Sequence, residues 1–253
     1  MTVSIITICY NSEKNIASAI ESVLSQSYKQ IEYIVVDGNS TDGTVDKIKE
    51  YEPLFNGRMK WISENDNGLY DALNKGLSMA TGDIVGCLHS DDFFSSPDIL
   101  SDIVETFQLH PFEAVCGDVH FVSHTNLKKV VRKCSSRIFK RSLMRFGLIP
   151  AHPTIYMKRS CYEQYGLYNI SYKIGGDFEL LLRYIFIHRI KIVYLPKCFV
   201  TMRTGGISTS GLSSHKTIMK EHLRAFKENE IYTNRFFLSL RYLYKLTELR
   251  GFF

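Results

Sequence analysis

The chain has 253 residues, of which 45% are hydrophobic, 23% charged and 13% aromatic. That is enough apolar material for one substantial core, and it excludes disordered, collagen-like and disulfide-stapled chains. The formal net charge of +5 averages two unlike halves: residues 1–118 carry 7 Lys and Arg against 19 Asp and Glu, a net −12, and residues 119–253 carry 24 against 7, a net +17.

Val3 to Ile8 is a continuous apolar and β-branched run that predicts a buried strand. Asn11-Ser12 then supplies a cap, and Ile16, Ala19, Ile20, Val23 and Leu24 fall at helical spacing. The alternation continues with a strand at Ile31 to Val36, a helix at Thr44 to Tyr51, a strand at Met59 to Ser63, a helix at Leu69 to Met79 and a strand at Ile84 to Leu88. Ser96-Pro97 opens a helix over Asp98 to Leu109, followed by a strand at Ala114 to Cys116. This order predicts an α/β fold with a Rossmann-like, mostly parallel central sheet flanked by helices. From Val119 the character changes, with no acid through Tyr162 while ten Lys and Arg accumulate. Asp177 to Ile187 reads as a helix, Ile190 to Leu195 as a strand, and Ser214 to Glu230 and Asn234 to Leu249 as two terminal helices.

The six cysteines (Cys9, Cys87, Cys116, Cys134, Cys161, Cys198) have no zinc-site or redox-pair spacing and are expected as small buried hydrophobes in a reducing cytosol. Met1 to Ser4 carries no basic leader, and Leu180 to Leu195 is interrupted by Arg183, His188, Arg189 and Lys191. Neither a secretion signal nor a membrane span is expected.

In a parallel sheet, ligands bind where loops leave the carboxyl ends of the strands. Three successive loops there carry acids: Asp37 to Gly43, Glu64 to Gly68, and His89 to Asp92. Each alone is ordinary turn chemistry, and Asp42 suits a helix cap. The adjacent pair Asp91-Asp92 is harder to place without a cation. Hard carboxylate oxygens suit Mg²⁺ or Mn²⁺ bound together with substrate phosphates.

The succession Val3-Ser4-Ile5-Ile6-Thr7-Ile8-Cys9-Tyr10-Asn11, Val35-Val36-Asp37-Gly38-Asn39-Ser40-Thr41-Asp42-Gly43-Thr44, Asp71-Ala72-Leu73-Asn74-Lys75-Gly76 and Ser90-Asp91-Asp92 closely resembles family 2 glycosyltransferases over about residues 1–205. The resemblance implies the GT-A fold, a UDP-sugar donor, Mn²⁺ or Mg²⁺, and inversion at the anomeric carbon. It places Thr7, Tyr10 and Asp37 at the nucleoside, Lys75 near the donor, and Asp91 and Asp92 at the metal and diphosphate. Asp66 of the second acidic loop is a further donor-side candidate, and Arg203-Thr204-Gly205-Gly206 either closes over the diphosphate, with its guanidinium and backbone amides donating, or is a plain glycine turn. Asp177, after Gly175-Gly176, matches the catalytic base, although an Asp there also suits a helix cap. His152 matches a loop on the acceptor side, with a core histidine as the alternative. Two positions depart from the family pattern: Gly38 stands where a second acid is frequent, and His89 opens the metal motif where many relatives carry an acid. The Gln-x-x-Arg-Trp motif of processive synthases is absent, which favours single addition.

On this resemblance, residues 1–210 form the catalytic domain, with a nucleotide-sugar half at 1–118 and an acceptor half at 119–210. Residues 211–253 form a C-terminal amphipathic helical tail. Lys and Arg interleaved with Val130, Val131, Ile138, Phe139, Leu143, Met144 and Phe146 suit an anionic membrane surface, as do the basic and aromatic residues of the tail. The alternative is a solvated basic face over an ordinary core. No nucleic-acid recognition motif is present. The resemblance further implies a lipid-linked acceptor, a sugar on polyprenyl diphosphate such as GlcNAc-diphosphate-undecaprenol, used in O-antigen or surface-polysaccharide synthesis at the cytoplasmic face of the inner membrane. A nucleotidyltransferase and a non-enzymatic basic binding module remain as alternatives.

Overall fold

The computed structural model describes residues 1–109, 111–205 and 212–242. Strands β1 (Val3–Cys9), β2 (Ile31–Asp37), β3 (Met59–Ser63) and β4 (Ile84–Cys87) alternate with helices α1 (Ile16–Leu24), α2 (Thr44–Tyr51) and α3 (Leu69–Met79). β1 pairs in parallel with β2 and β4, and β2 with β3. Crossover helices cover both faces of such a sheet, which is why its strands read as unbroken apolar runs. Alternate residues serve opposite faces. Ile5, Tyr33 and Val35 pack with Ile16 and Ile20 of α1, Ile48 of α2 and Ile103 of α4 (Ile99–Leu109). Ile6, Ile34 and Val36 pack instead with Leu73 and Leu77 of α3.

Strands β5 (Phe93–Phe94), β6 (Ala114–Ser123), β7 (Asn126–Cys134), β8 (Tyr156–Lys158) and β9 (Ile192–Arg203) complete a nine-stranded sheet. Its order is β3-β2-β1-β4-β8-β6-β9-β5, with β7 beside β6. β8 runs antiparallel to β4 and β6, whereas β9 is parallel to β6, so the sheet is mostly parallel. β6 and β9 both run well past their expected ends, because each pairs with the other along its length. β7 was not expected: nearly every residue in it is exposed, so no one-sided apolar alternation marks it. The expected helix over 177–187 is α6 (Gly176–Leu181) running into a π-helix at Leu182–Ile187. A 3.6-residue periodicity does not anticipate that winding.

Residues 159–165 form α5 (Arg159–Tyr165), and the C-terminal part forms α7 (Leu212–Glu228) and α8 (Arg235–Ser239). Asn234 caps α8, its side chain accepting from Phe237 N at 2.9 Å. Ala225 and Phe226 of α7 and Leu238 of α8 are fully buried in the same core as α3 and α6. The division drawn at residue 211 therefore marks no break in packing, and residue 118 lies inside β6. Residues 243–249 of the second terminal helix, and Gly206, lie outside the described residues. Among the described residues no helix is long and apolar enough to cross a membrane.

The centre of the sheet tolerates little change. Gly86 of β4 faces the fully buried Tyr156 of β8, and a Cβ there would lie 2.2 Å from Tyr156 Cε1. Gly86→Ala is expected to destabilise the protein by about 1–3 kcal/mol, the usual range for overpacking. Thermal unfolding checks this, and an unchanged Tm would contradict it.

Candidate active site

The loops after β1 to β4 open at one end of the sheet, because these strands are parallel. The first two are stitched together. Asn11 N donates to Ser40 Oγ at 2.8 Å, and Thr41 N donates to Asn11 Oδ1 at 2.9 Å. Asn11 and Asn39 take left-handed backbone angles, φ 48° and 64°, that asparagine tolerates better than most residues. Asp42 accepts from Thr44 N in the first turn of α2 and from Glu13 N, so it acts as the turn residue that the sequence alternative described.

Two of the expected nucleoside residues are hydrogen-bonded within the protein. Thr7 is fully buried, its hydroxyl donating to Leu88 O at 2.7 Å and accepting from Tyr33 at 3.0 Å. It therefore ties β1 to the segment after β4 and to β2. Asp37 is also fully buried, with its carboxylate accepting from Ser40 N at 2.9 Å, Ser63 Oγ at 2.6 Å and the Ser40 hydroxyl. It braces the loops, because strand-end hydroxyls and amides surround it before any ligand can. Tyr10 is different, with 63% of its surface exposed over the crevice. A Cβ at Gly38 would lie 2.7 Å from Asp66 Oδ2 and 3.5 Å from the Tyr10 ring. Tyr10, Gly38 and Asp66 thus converge, and Asp66 fills the space that a second acid at position 38 would occupy. Lys75 of α3 bonds Asn65 O at 2.6 Å and pairs with Glu64 at 2.9 Å, anchoring the loop that carries Asp66.

Asp91 is half-buried at the end of the β4 loop, and Asp92 behind it is fully buried. Neither oxygen of the Asp92 carboxyl has a hydrogen-bond partner. Burial, reinforced by Asp91, raises its pKa well above the usual carboxylate range, against the opposing pull of Arg203. The expected ligand pair is thereby unequal: Asp91 faces the crevice and Asp92 is walled off by protein. Among the described residues no three His, Cys, Asp or Glu side chains gather to hold an ion. One accessible carboxylate with an unpartnered acid behind it fits Mg²⁺ or Mn²⁺ arriving with a diphosphate, and does not fit a metal held by protein alone. Arg203 is tied to the same loop. Its guanidinium donates to the Asp91 carbonyl and to Ser18 Oγ at 2.9 Å and lies over Phe93, so it shapes the Asp91 loop. The pairing of β5 with the end of β9 brings it there.

Across the crevice, Asp177 sits in the first turn of α6. Its side chain also accepts from Phe178 N at 2.7 Å. Burial pushes its pKa up to about 6. His89 and His152 stack with ring centroids 6.2 Å apart, and His152 Nε2 lies 2.7 Å from Tyr168 OH. Burial lowers both histidines to about 4, with His152 adding to the effect on His89. Both imidazoles are therefore neutral at pH 7. The structure brings together Asp177, His152 and Asp91, and adds His89, Tyr168 and Tyr70, which sequence reasoning left out of the site. The Tyr70 hydroxyl accepts from Gly176 N at 2.8 Å, beside the base position, and Asn74 clamps the Tyr168 backbone through bonds of 2.9 and 3.0 Å. The departure at His89 was the signal for that histidine. Tyr70 and Tyr168 gave none, since each looks like an ordinary core aromatic.

The family profile described as "Glycosyl transferase family 2" matches residues 4–165. An uncharacterised glycosyltransferase of Mycobacterium tuberculosis is 32% identical over 187 residues, 72% of this chain and 68% of that protein. Among solved structures, Staphylococcus aureus TarS residues 1–349 in complex with UDP-GlcNAc superposes with a TM-score of 0.69 at 20% identity, over 89% of this chain and 66% of that one. The mannosyltransferase PcManGT from Pyrobaculum calidifontis, in complex with GDP-Man and Mn²⁺, gives a TM-score of 0.64 at 20% identity over 90% and 63%. The chain spans 43% of a longer TarS chain. These relations set aside the nucleotidyltransferase and non-enzymatic readings, and they agree with the sheet order and the acidic strand-end loops. The chain belongs to glycosyl transferase family 2 and is a glycosyltransferase with the GT-A fold.

Proposed function

We propose that the chain moves one hexose, glucose or galactose, from a UDP-sugar to a sugar linked through diphosphate to a polyprenyl lipid, with inversion. GlcNAc-diphosphate-undecaprenol is the proposed acceptor, in surface-polysaccharide synthesis such as that of O-antigen. The observation that carries this reading is the carboxyl of Asp177, held near pKa 6 in a crevice it shares with Asp91 and two neutral histidines. A carboxyl so tuned is mostly ionised at neutral pH yet basic enough to take a hydroxyl proton. The UDP-GlcNAc bound to TarS and the GDP-Man bound to PcManGT support a nucleotide-sugar donor, the former a UDP-sugar.

In this mechanism the exposed Tyr10 ring and the Asp66 carboxylate receive the nucleoside. Asp91 would hold the divalent ion, which would offset charge on the departing diphosphate. Asp177 accepts the proton of the acceptor hydroxyl as that oxygen bonds to the anomeric carbon and the bond to UDP breaks. The electron pair leaves with UDP, and an α-linked donor gives a β-glycoside. His152, fixed by Tyr168, orients the acceptor on the same side. A donor panel with a synthetic GlcNAc-diphosphate lipid, run with Mn²⁺ and with EDTA, tests the reading. Mn²⁺-dependent transfer from a UDP-hexose is the expected result, and no product with any UDP-hexose would defeat it.

The membrane part of the proposal narrows to the β6–β7 hairpin and the segment after it. Leu127, Val130, Val131 and Ile138 are exposed there among exposed Lys128, Lys129, Lys133, Arg137 and Lys140, whereas Met144 is fully buried and Arg241 nearly so, and neither faces a lipid. Co-sedimentation with vesicles rich in phosphatidylglycerol is expected to weaken as NaCl rises from about 0.05 to 0.5 M, since screening shortens the reach of exposed charge. Lys128→Ala with Lys129→Ala is expected to weaken it further. Salt-independent binding, or none, would remove the membrane from the proposal.

A further inference from the structure

We propose that Glu221 of α7 is a positioning residue for Asp177, pinning the loop that presents the base. This rests on the reading of Asp177 as the base. Oε1 of Glu221 accepts from Lys173 N at 2.8 Å, and Oε2 accepts from Ile174 N at 3.0 Å and Gly175 N at 2.7 Å. Three consecutive backbone donors thus converge on one nearly buried carboxylate. Ionised acceptors make the shorter and stronger hydrogen bonds. The residue preceding α6, Gly175, offers no side-chain cap, so the carboxylate that orders its approach comes from a helix 46 residues further along the chain.

The opposite side of the loop is held by Tyr70 of α3. Its hydroxyl donates to Ile174 O at 2.6 Å and accepts from Gly176 N at 2.8 Å and Asp177 N at 3.3 Å. The two glycines let both clamps approach. A Cβ at Gly175 would lie 3.1 Å from Glu221 Cβ, and one at Gly176 would lie 2.7 Å from the Tyr70 ring. α7 is itself fixed against α6, with the His222 ring stacked on Phe178 at 3.8 Å and Arg241 bonded to His222 at 2.9 Å. α7, read from sequence as the first part of an amphipathic tail, is thus packed against the loop that carries Asp177.

The titratable groups around Asp177 are Tyr70 from α3, His89 from the β4 loop, Tyr168 from the segment before α6 and Glu221 from α7. Of these, Glu221 adds negative charge and raises the Asp177 pKa. Glu221→Gln keeps the shape but turns an amide N–H₂ toward backbone donors and removes that charge. The expected result is a kcat lowered roughly tenfold, as small misplacements of a reacting group do. The KM for the UDP-sugar and the Kd for UDP with Mn²⁺ should stay within about twofold, because the nucleoside loops lie on other elements. The acid limb of kcat/KM should move to lower pH.

A folded Glu221→Gln protein with unchanged kcat and an unmoved acid limb would overturn the proposal. So would loss of nucleotide binding in step with kcat, which marks a general folding role. If Glu221→Gln does not fold, Glu221→Asp, which withdraws the carboxylate by one methylene, carries the same expectation of reduced kcat at unchanged UDP affinity. Asp177→Asn run in parallel separates the two readings. If it stays active, the base assignment itself fails. If it is inactive while Glu221→Gln matches wild type, only the role of Glu221 falls.

Discussion

Asp177→Asn is expected to lower kcat by about a thousandfold, in the middle of the range that a positioned general base contributes. The Kd for UDP with Mn²⁺ should stay within about twofold, since Tyr10, Asp66 and Asp91 lie on loops that this side chain does not support. Asn preserves the volume and can still accept from Phe178 N, so the fold should survive. The pH profile supplies the second signature. The Asp177 pKa is raised to about 6, chiefly by burial, so the base is protonated and inactive below that pH and ionised above it. Wild-type kcat/KM is therefore expected to fall about tenfold per pH unit below 6 and to level off above 7. His89 and His152 are already neutral there, held down to about 4, and add no limb in the neutral range. A radiolabelled-sugar transfer assay from pH 4.5 to 8.5 checks both points. Near wild-type turnover by Asp177→Asn would remove Asp177 from the chemistry.

Asp91→Asn is expected to remove most metal-dependent activity, a loss of about 10² to 10³-fold at 1 mM Mn²⁺, of the several-kcal/mol order that a bound ion supplies. Asp92→Asn should have a smaller effect. The Asp92 carboxyl is fully buried behind the half-buried Asp91, so Asp91 is the carboxylate with open access to an incoming ion. Titrating Mn²⁺ with UDP present, by calorimetry and by turnover, distinguishes the two positions. Without nucleotide, Mn²⁺ binding should be weak in every variant, because no third protein ligand is gathered among the described residues. Tight binding of Mn²⁺ to the free enzyme, or equal losses at the two positions, would contradict this unequal pair.

The strand-end motifs point to loops, and the structure shows how the side chains on those loops are bonded. Asp37 and Thr7 carry the family pattern, yet neighbouring hydroxyls and amides fully satisfy both side chains. Spacing along a chain tells which loop an acid is on. It does not tell whether that acid faces the crevice or the frame. Arg203 is a similar case: its guanidinium bonds the Asp91 backbone, a contact between residues 112 positions apart that the sequence does not record. The vacancy at position 38 was visible in the sequence, and only folding revealed that Asp66, from a different loop, fills it.

By itself the sequence determined the alternating α/β order, the mostly parallel sheet, the family and the gathering of acids at one sheet edge. Those follow from local apolar periodicity and from the rule that parallel strands expose their carboxyl-end loops together. Only the tertiary structure decided the rest. β7 formed on an almost wholly exposed run, Asp92 was enclosed while Asp91 stayed half-open, and Glu221 of α7 came to accept from three backbone amides just before α6. Each depends on contacts between residues tens of positions apart, and those are set by packing and desolvation, which no periodicity records. The opening +17 was divided by the same means. Part of it is spread over an exposed hairpin facing solvent, and part, as Arg203 and Arg241, is buried and used to hold the fold.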